Sequence, residues 1–117
     1  LSPVPLAATI RQISCISANS ISKSILRASL DEFLRENNGY LGENLFYFPS
    51  YEVISELFYE KYGNDCRHPQ PEIIELIMNM FEGAFCESQL DWSEVEQIYK
   101  ILRKKNLEHA FNKIQQS

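Results

Sequence analysis

Asp65 and His68, in the segment NDCRHP at 64–69, are the residues of this sequence whose types and spacing best suit joint chemistry. A carboxylate on one imidazole nitrogen fixes the tautomer and stabilises the imidazolium, leaving the other nitrogen to take a proton from a hydroxyl. Two intervening residues in a tight turn are few enough for the side chains to touch without help from elsewhere. The same residues also describe a plain polar turn, in which Asp65 bonds nearby backbone and His68 is an exposed loop histidine before Pro69. Spacing alone does not separate these two readings.

Neighbouring groups offer less. A nucleophilic thiol at Cys66, with His68 as its base, is disfavoured, because adjacent loop residues seldom point into one site. His109 sits beside Glu108 in a polar helical stretch and reads as solvated surface. His68, His109 and the cysteines have no recognisable ligand spacing, so neither a metal nor another cofactor is expected. Asn19, Ser20, Ser22 and Lys23 stand near a helix start. There, Asn or Ser caps free amides, or the helix start faces a site and binds an anionic or acyl oxygen. In YFPSYE, Tyr51 and Glu52 either orient the Asp-x-x-His loop or simply begin a helix.

The elements that must position these residues follow from periodicity. LSPVPL reads as the tail of a strand entering a Pro-punctuated loop. From Ser17 to Asn37, apolar residues Ile21, Ile25, Leu26, Leu30, Phe33 and Leu34 fall at helical spacing, and Gly39 is expected to be a left-handed cap. NLFYF at 44–48, aromatic-rich and bounded by turn residues, predicts a buried strand. A second helix is predicted over Tyr51–Tyr62, then a loop through GNDCRHPQP. A third starts at Pro71 and is apolar on more than half its circumference, as suits packing on a sheet. The fourth, from DWSEVEQ onward, shows a capping box in Ser93 and Glu96.

Composition bounds the remainder. The chain has 117 residues, 44% of them hydrophobic, which suits one domain or domain fragment with a modest core. A net charge of −5, with basic residues clustered only at Arg103–Lys105, excludes a footprint for a polyphosphate backbone, so no nucleic-acid partner is expected. No apolar run approaches the roughly 20 residues that cross a bilayer, so no membrane partner is expected either. Three well-separated cysteines argue for reduced thiols in a cytoplasmic setting. An opening without Met suggests a piece of something longer. Unpaired strand edges and helix faces in such a piece predict homo-oligomers.

Two stretches, LSPVPLAATIRQISCISANSISKSILRA and FYFPSYEVISELF followed by NDCRHP, resemble the C-terminal half of GSCFA-domain proteins. These are grouped with the SGNH (GDSL-like) serine hydrolases. The likeness covers residues 1–81, leaving 82–117 as an additional helical segment. It implies a bacterial protein of α/β class. The chain would be the C-terminal part of a three-layer α/β/α (flavodoxin-like) domain, helix-rich in this stretch. It also implies an ester hydrolase or acyl transferase acting on a small-molecule or glycan ester, with Asp65 and His68 completing a triad. Asn19, Ser20, Lys23, Tyr51 and Glu52 are the candidate substrate-binding residues. The namesake Gly-Ser-Cys-Phe-Ala stretch with the nucleophile is absent, so this chain by itself is expected to be inactive. The rival reading is a non-catalytic helical interaction module, motivated by the acidic balance and the broad apolar face of 73–81.

Overall fold

The computed structural model describes residues 1–87 and 90–116. It contains four α-helices, α1 (Cys15–Glu36), α2 (Ser50–Leu57), α3 (Pro71–Phe85) and α4 (Trp92–Gln115), with a short 3-10 turn at Asn38–Tyr40. The core lies where α2, α3 and α4 meet. Val53 and Ile54 of α2, Phe58 just beyond it, Ile73, Leu76 and Ile77 of α3, and Val95 of α4 form one buried cluster. Ile54, Ile73 and Leu76 are fully enclosed, each stabilising the packed state by about 1.5–3 kcal/mol relative to exposure. Pro71 opens α3, where its missing N–H is no loss. Gly83 lets α4 start close by, since a Cβ there would stand 3.2 Å from the Trp92 ring.

The expected three-layer α/β/α domain does not form. Among the described residues there is no sheet, only isolated bridges between Leu41 and Leu45 and between Tyr62 and Pro69. The molecule is 17 Å across its thinnest axis, too little for three layers whose centres sit about 10 Å apart. At 44–48 the strand is replaced by a turn and an extended run. The Tyr40 carbonyl gathers the amides of Glu43, Asn44 and Leu45, so ladder pairing has no free register there. Phe46 and Phe48 instead pack edge-on against Phe85 and Phe81, with ring centroids 5.7 and 5.4 Å apart. The left-handed residue near this turn is Gly42, at φ 85°, rather than Gly39.

LSPVPL is a loop rather than a strand end. Lys23 Nζ donates to the carbonyls of Ser2 and Val4 at 2.6 and 2.9 Å, and Asn19 Oδ1 accepts the Leu6 amide at 3.0 Å. Those three contacts satisfy backbone groups that a sheet would otherwise have taken.

Helix boundaries shift for similar reasons. α1 begins earlier than predicted, because Ser14 accepts the Ser17 amide and serves as its cap. α2 stops at Leu57, short of Tyr62, since Phe58 turns extended and buries its ring while the next two amides go to Asn106. α4 is capped by Asp91, which accepts both the amide and the hydroxyl of Ser93, so Ser93 lies inside the helix. Of α1's apolar face only Ala18 is buried, while Ile21, Ile25, Leu26 and Phe33 are exposed.

Candidate functional site

The Asp-x-x-His segment sits at the tip of a small closed loop. At its base Tyr62 pairs antiparallel with Pro69, the Gln70 amide donates to Lys61 O at 3.0 Å, and the Gly63 amide donates to His68 O at 2.9 Å. At the tip the Cys66 amide closes on Gly63 O, and Cys66 adopts φ 54°, an uncommon conformation for a residue with a Cβ. Asp65 makes this turn possible. Its Oδ1 accepts the amides of Arg67 and His68, each at 3.0 Å.

The other carboxylate oxygen, Oδ2, lies 2.5 Å from His68 Nδ1. An ionised carboxylate only accepts, so Nδ1 carries a proton toward it, and in the neutral ring the lone pair is then on Nε2. Among the described residues nothing hydrogen-bonds to Nε2, and the His68 side chain is 64% exposed. The imidazole bond first, then the two amides, holds the Asp65 carboxyl down at about 2. The geometry thus holds one ring nitrogen against a carboxylate and leaves the other turned toward solvent.

The remaining candidate residues gather elsewhere. Asn19, Ser20, Lys23 and Tyr51 line one open cleft along α1, together with Arg27 and Asp31; Asp65 and His68 do not line it. Asn19 and Lys23 are tied to the N-terminal loop, and Lys23 Nζ lies 5.9 Å from the Tyr51 ring centre. Glu52 takes part in a compact polar network. It accepts from Tyr47 Oη at 2.7 and 2.8 Å and pairs with Arg27 Nε at 2.9 Å. Arg27 lies over the Tyr47 ring at 5.5 Å, with its Nη1 buried and without an acceptor. Burial, then the carboxylate, pushes the Tyr47 phenol up to about 12. Tyr51 and Glu52 thus both belong to the first turn of α2, and Glu52 also joins that turn to α1.

His109 meets Glu60 at 3.4 Å, beside Lys113, while its own side chain remains 62% exposed. Among the described residues no group of three or more His, Cys, Asp or Glu could hold a metal, and the three cysteines are free.

Residues 1–81 match the family model described as the GSCFA family. This chain belongs to the GSCFA family. No curated protein and no solved structure matches it. The GSCFA match includes the whole Asp65–His68 loop, the α1 cleft and the Tyr47–Glu52–Arg27 network, and stops within α3. No helix among the described residues is long and apolar enough to cross a membrane.

Three contributors were missed in the sequence. Arg27 and Tyr47 carry no pattern that marks them as partners of Glu52. Asn106, buried in the middle of α4, did leave a signal, since Asn is a poor choice for a helix interior and its presence there points to a side-chain task.

Proposed function

We propose that the chain contributes the acid and base of a serine ester hydrolase or acyl transferase, with the nucleophilic hydroxyl supplied by polypeptide outside these 117 residues. The observation that carries this reading is the 2.5 Å contact between Asp65 Oδ2 and His68 Nδ1, with Nε2 unpartnered among the described residues. In such a reaction Nε2 takes the serine proton as the hydroxyl attacks the ester carbonyl. Asp65 stabilises the resulting imidazolium, and the proton is then delivered to the leaving alcohol. Asn19, Ser20, Lys23 and Tyr51 would then hold a part of the small-molecule or glycan ester remote from the reacting carbonyl, since Asp65 and His68 do not line the α1 cleft.

The test compares the longer parent protein with the isolated chain, using p-nitrophenyl acetate. Turnover by the parent that is lost in His68→Ala, with none from the isolated chain, supports the reading; full parent activity in His68→Ala ends it. The exposed Ile21, Ile25, Leu26 and Phe33 of α1 favour a second reading, a helical interaction module. A parent with no serine hydrolase activity, but with the α1 face protected from solvent in its assembled state, would favour that alternative.

A further inference from the structure

The Asp65–His68 pair has little packing of its own, the two side chains being 50% and 64% exposed. Its hydrogen bonds, as described above, all lie within the loop, so the direction in which His68 points depends on how the loop's base is held. That base follows directly on Tyr59 and Glu60. Both of their amides donate to Asn106 Oδ1, at 2.8 and 2.9 Å, and Asn106 Nδ2 donates back to Glu60 O at 2.6 Å. One buried amide side chain therefore satisfies three backbone groups where α2 has ended. The Glu60 carboxylate is held to the same helix by Lys113 at 2.9 Å and His109 at 3.4 Å. The next residues are the rungs themselves, Lys61 O with the Gln70 amide and Gly63 N–H with His68 O. On the far side, Tyr62 Oη donates to Pro3 O at 3.2 Å.

We infer that Asn106, in a helix beyond the family match, is a positioning residue that fixes the base of the Asp65–His68 loop and so the aim of the imidazole. This assigns α4 a task in the site. The inference rests on reading Asp65 and His68 as the acid–base pair, but its test needs neither nucleophile nor substrate.

In the unmodified chain, amide hydrogen exchange of Gly63 and Gln70 should keep pace with that of Tyr59 and Glu60, because base and clamp open together. In Asn106→Leu these four amides should exchange about tenfold faster or more, as stranded buried groups imply. The Asp65 carboxyl, followed by carbon NMR, should move from about 2 toward its ordinary 3.8. Met80→Ala, which loosens the core away from the loop, should leave that midpoint in place. The inference is overturned if Asn106→Leu stays helical with the Asp65 midpoint unmoved, or if Met80→Ala shifts it equally. Should Asn106→Leu fail to fold, the unmodified chain decides: exchange at Gly63 and Gln70 unrelated to that at Tyr59 and Glu60 overturns it. Failure of the esterase assay on the parent leaves this outcome unaffected, so the two ideas fail separately.

Discussion

Asp65 places one carboxylate oxygen 2.5 Å from His68 Nδ1 while its other oxygen accepts the amide of that same histidine at 3.0 Å. The aspartate thus grips both ends of the residue it orients, ring and backbone. A carboxylate in this position does two jobs that are separable by mutation: it builds the turn, and it sets the charge beside the ring.

The charge is the first to test. The Asp65 carboxyl is held at about 2, below its ordinary 3.8, so the stability it contributes is present above pH 3.8 and is lost as pH falls through about 2. Carbon NMR of the Asp65 carboxyl should give a midpoint near 2 that rises toward 3.8 in His68→Ala. A midpoint of 3.8 in the unmodified chain would mean the ring contact does not persist in solution.

Asp65→Asn separates the jobs. The amide oxygen can still accept from Arg67 and His68, so the turn should survive, as circular dichroism would show. Its NH2 now faces Nδ1 and demands the opposite tautomer, moving the ring proton to Nε2. On the proposed reading of Asp65 and His68 as acid and base, kcat on an ester should fall by about 10²–10⁴-fold with KM little changed. An unchanged kcat would show that Asp65 is a turn residue alone.

The turn was legible in the sequence because its chemistry is local: Gly63, Asn64, Asp65 and Pro69 specify it within a few residues. α3 was legible too, as Pro71 and the spacing of Ile73, Leu76, Ile77 and Met80 fix its start and its buried side. NLFYF failed because a strand exists only where a neighbour offers a ladder, and here the phenylalanines find Phe81 and Phe85 first. The end of α2 failed because the deciding residue, Asn106, is 46 positions away from Glu60. Long-range polar clamps leave only the faintest trace in a single sequence.

Leu76 tests the core that underlies all of this. It is 0% exposed, at the centre of the contact between α2, α3 and α4. Leu76→Ala should destabilise the chain by about 2–5 kcal/mol, through lost transfer energy and the cavity left behind. Urea unfolding followed at 222 nm measures it. A loss below about 1 kcal/mol would place the true core elsewhere.

Tyr47 offers a test at the opposite end of the pH scale. Its phenol is raised from 10.0 to about 12, by burial first and the Glu52 carboxylate second. The neutral form is therefore the one the fold prefers. The resulting stability is complete below pH 10.0 and disappears as pH climbs through about 12. Absorbance at 295 nm should show one tyrosine titrating near 12, and that component should vanish in Tyr47→Phe. The same variant leaves Glu52 paired with Arg27 but without the hydroxyl, at a cost of about 0.5–1.5 kcal/mol. The stability difference between Tyr47→Phe and the unmodified chain should shrink as pH rises from 10.0 to about 12, because the ionised phenol no longer donates to the carboxylate. A difference that is flat across that range would mean that Tyr47 stabilises the chain through its ring over Arg27 and not through the hydroxyl.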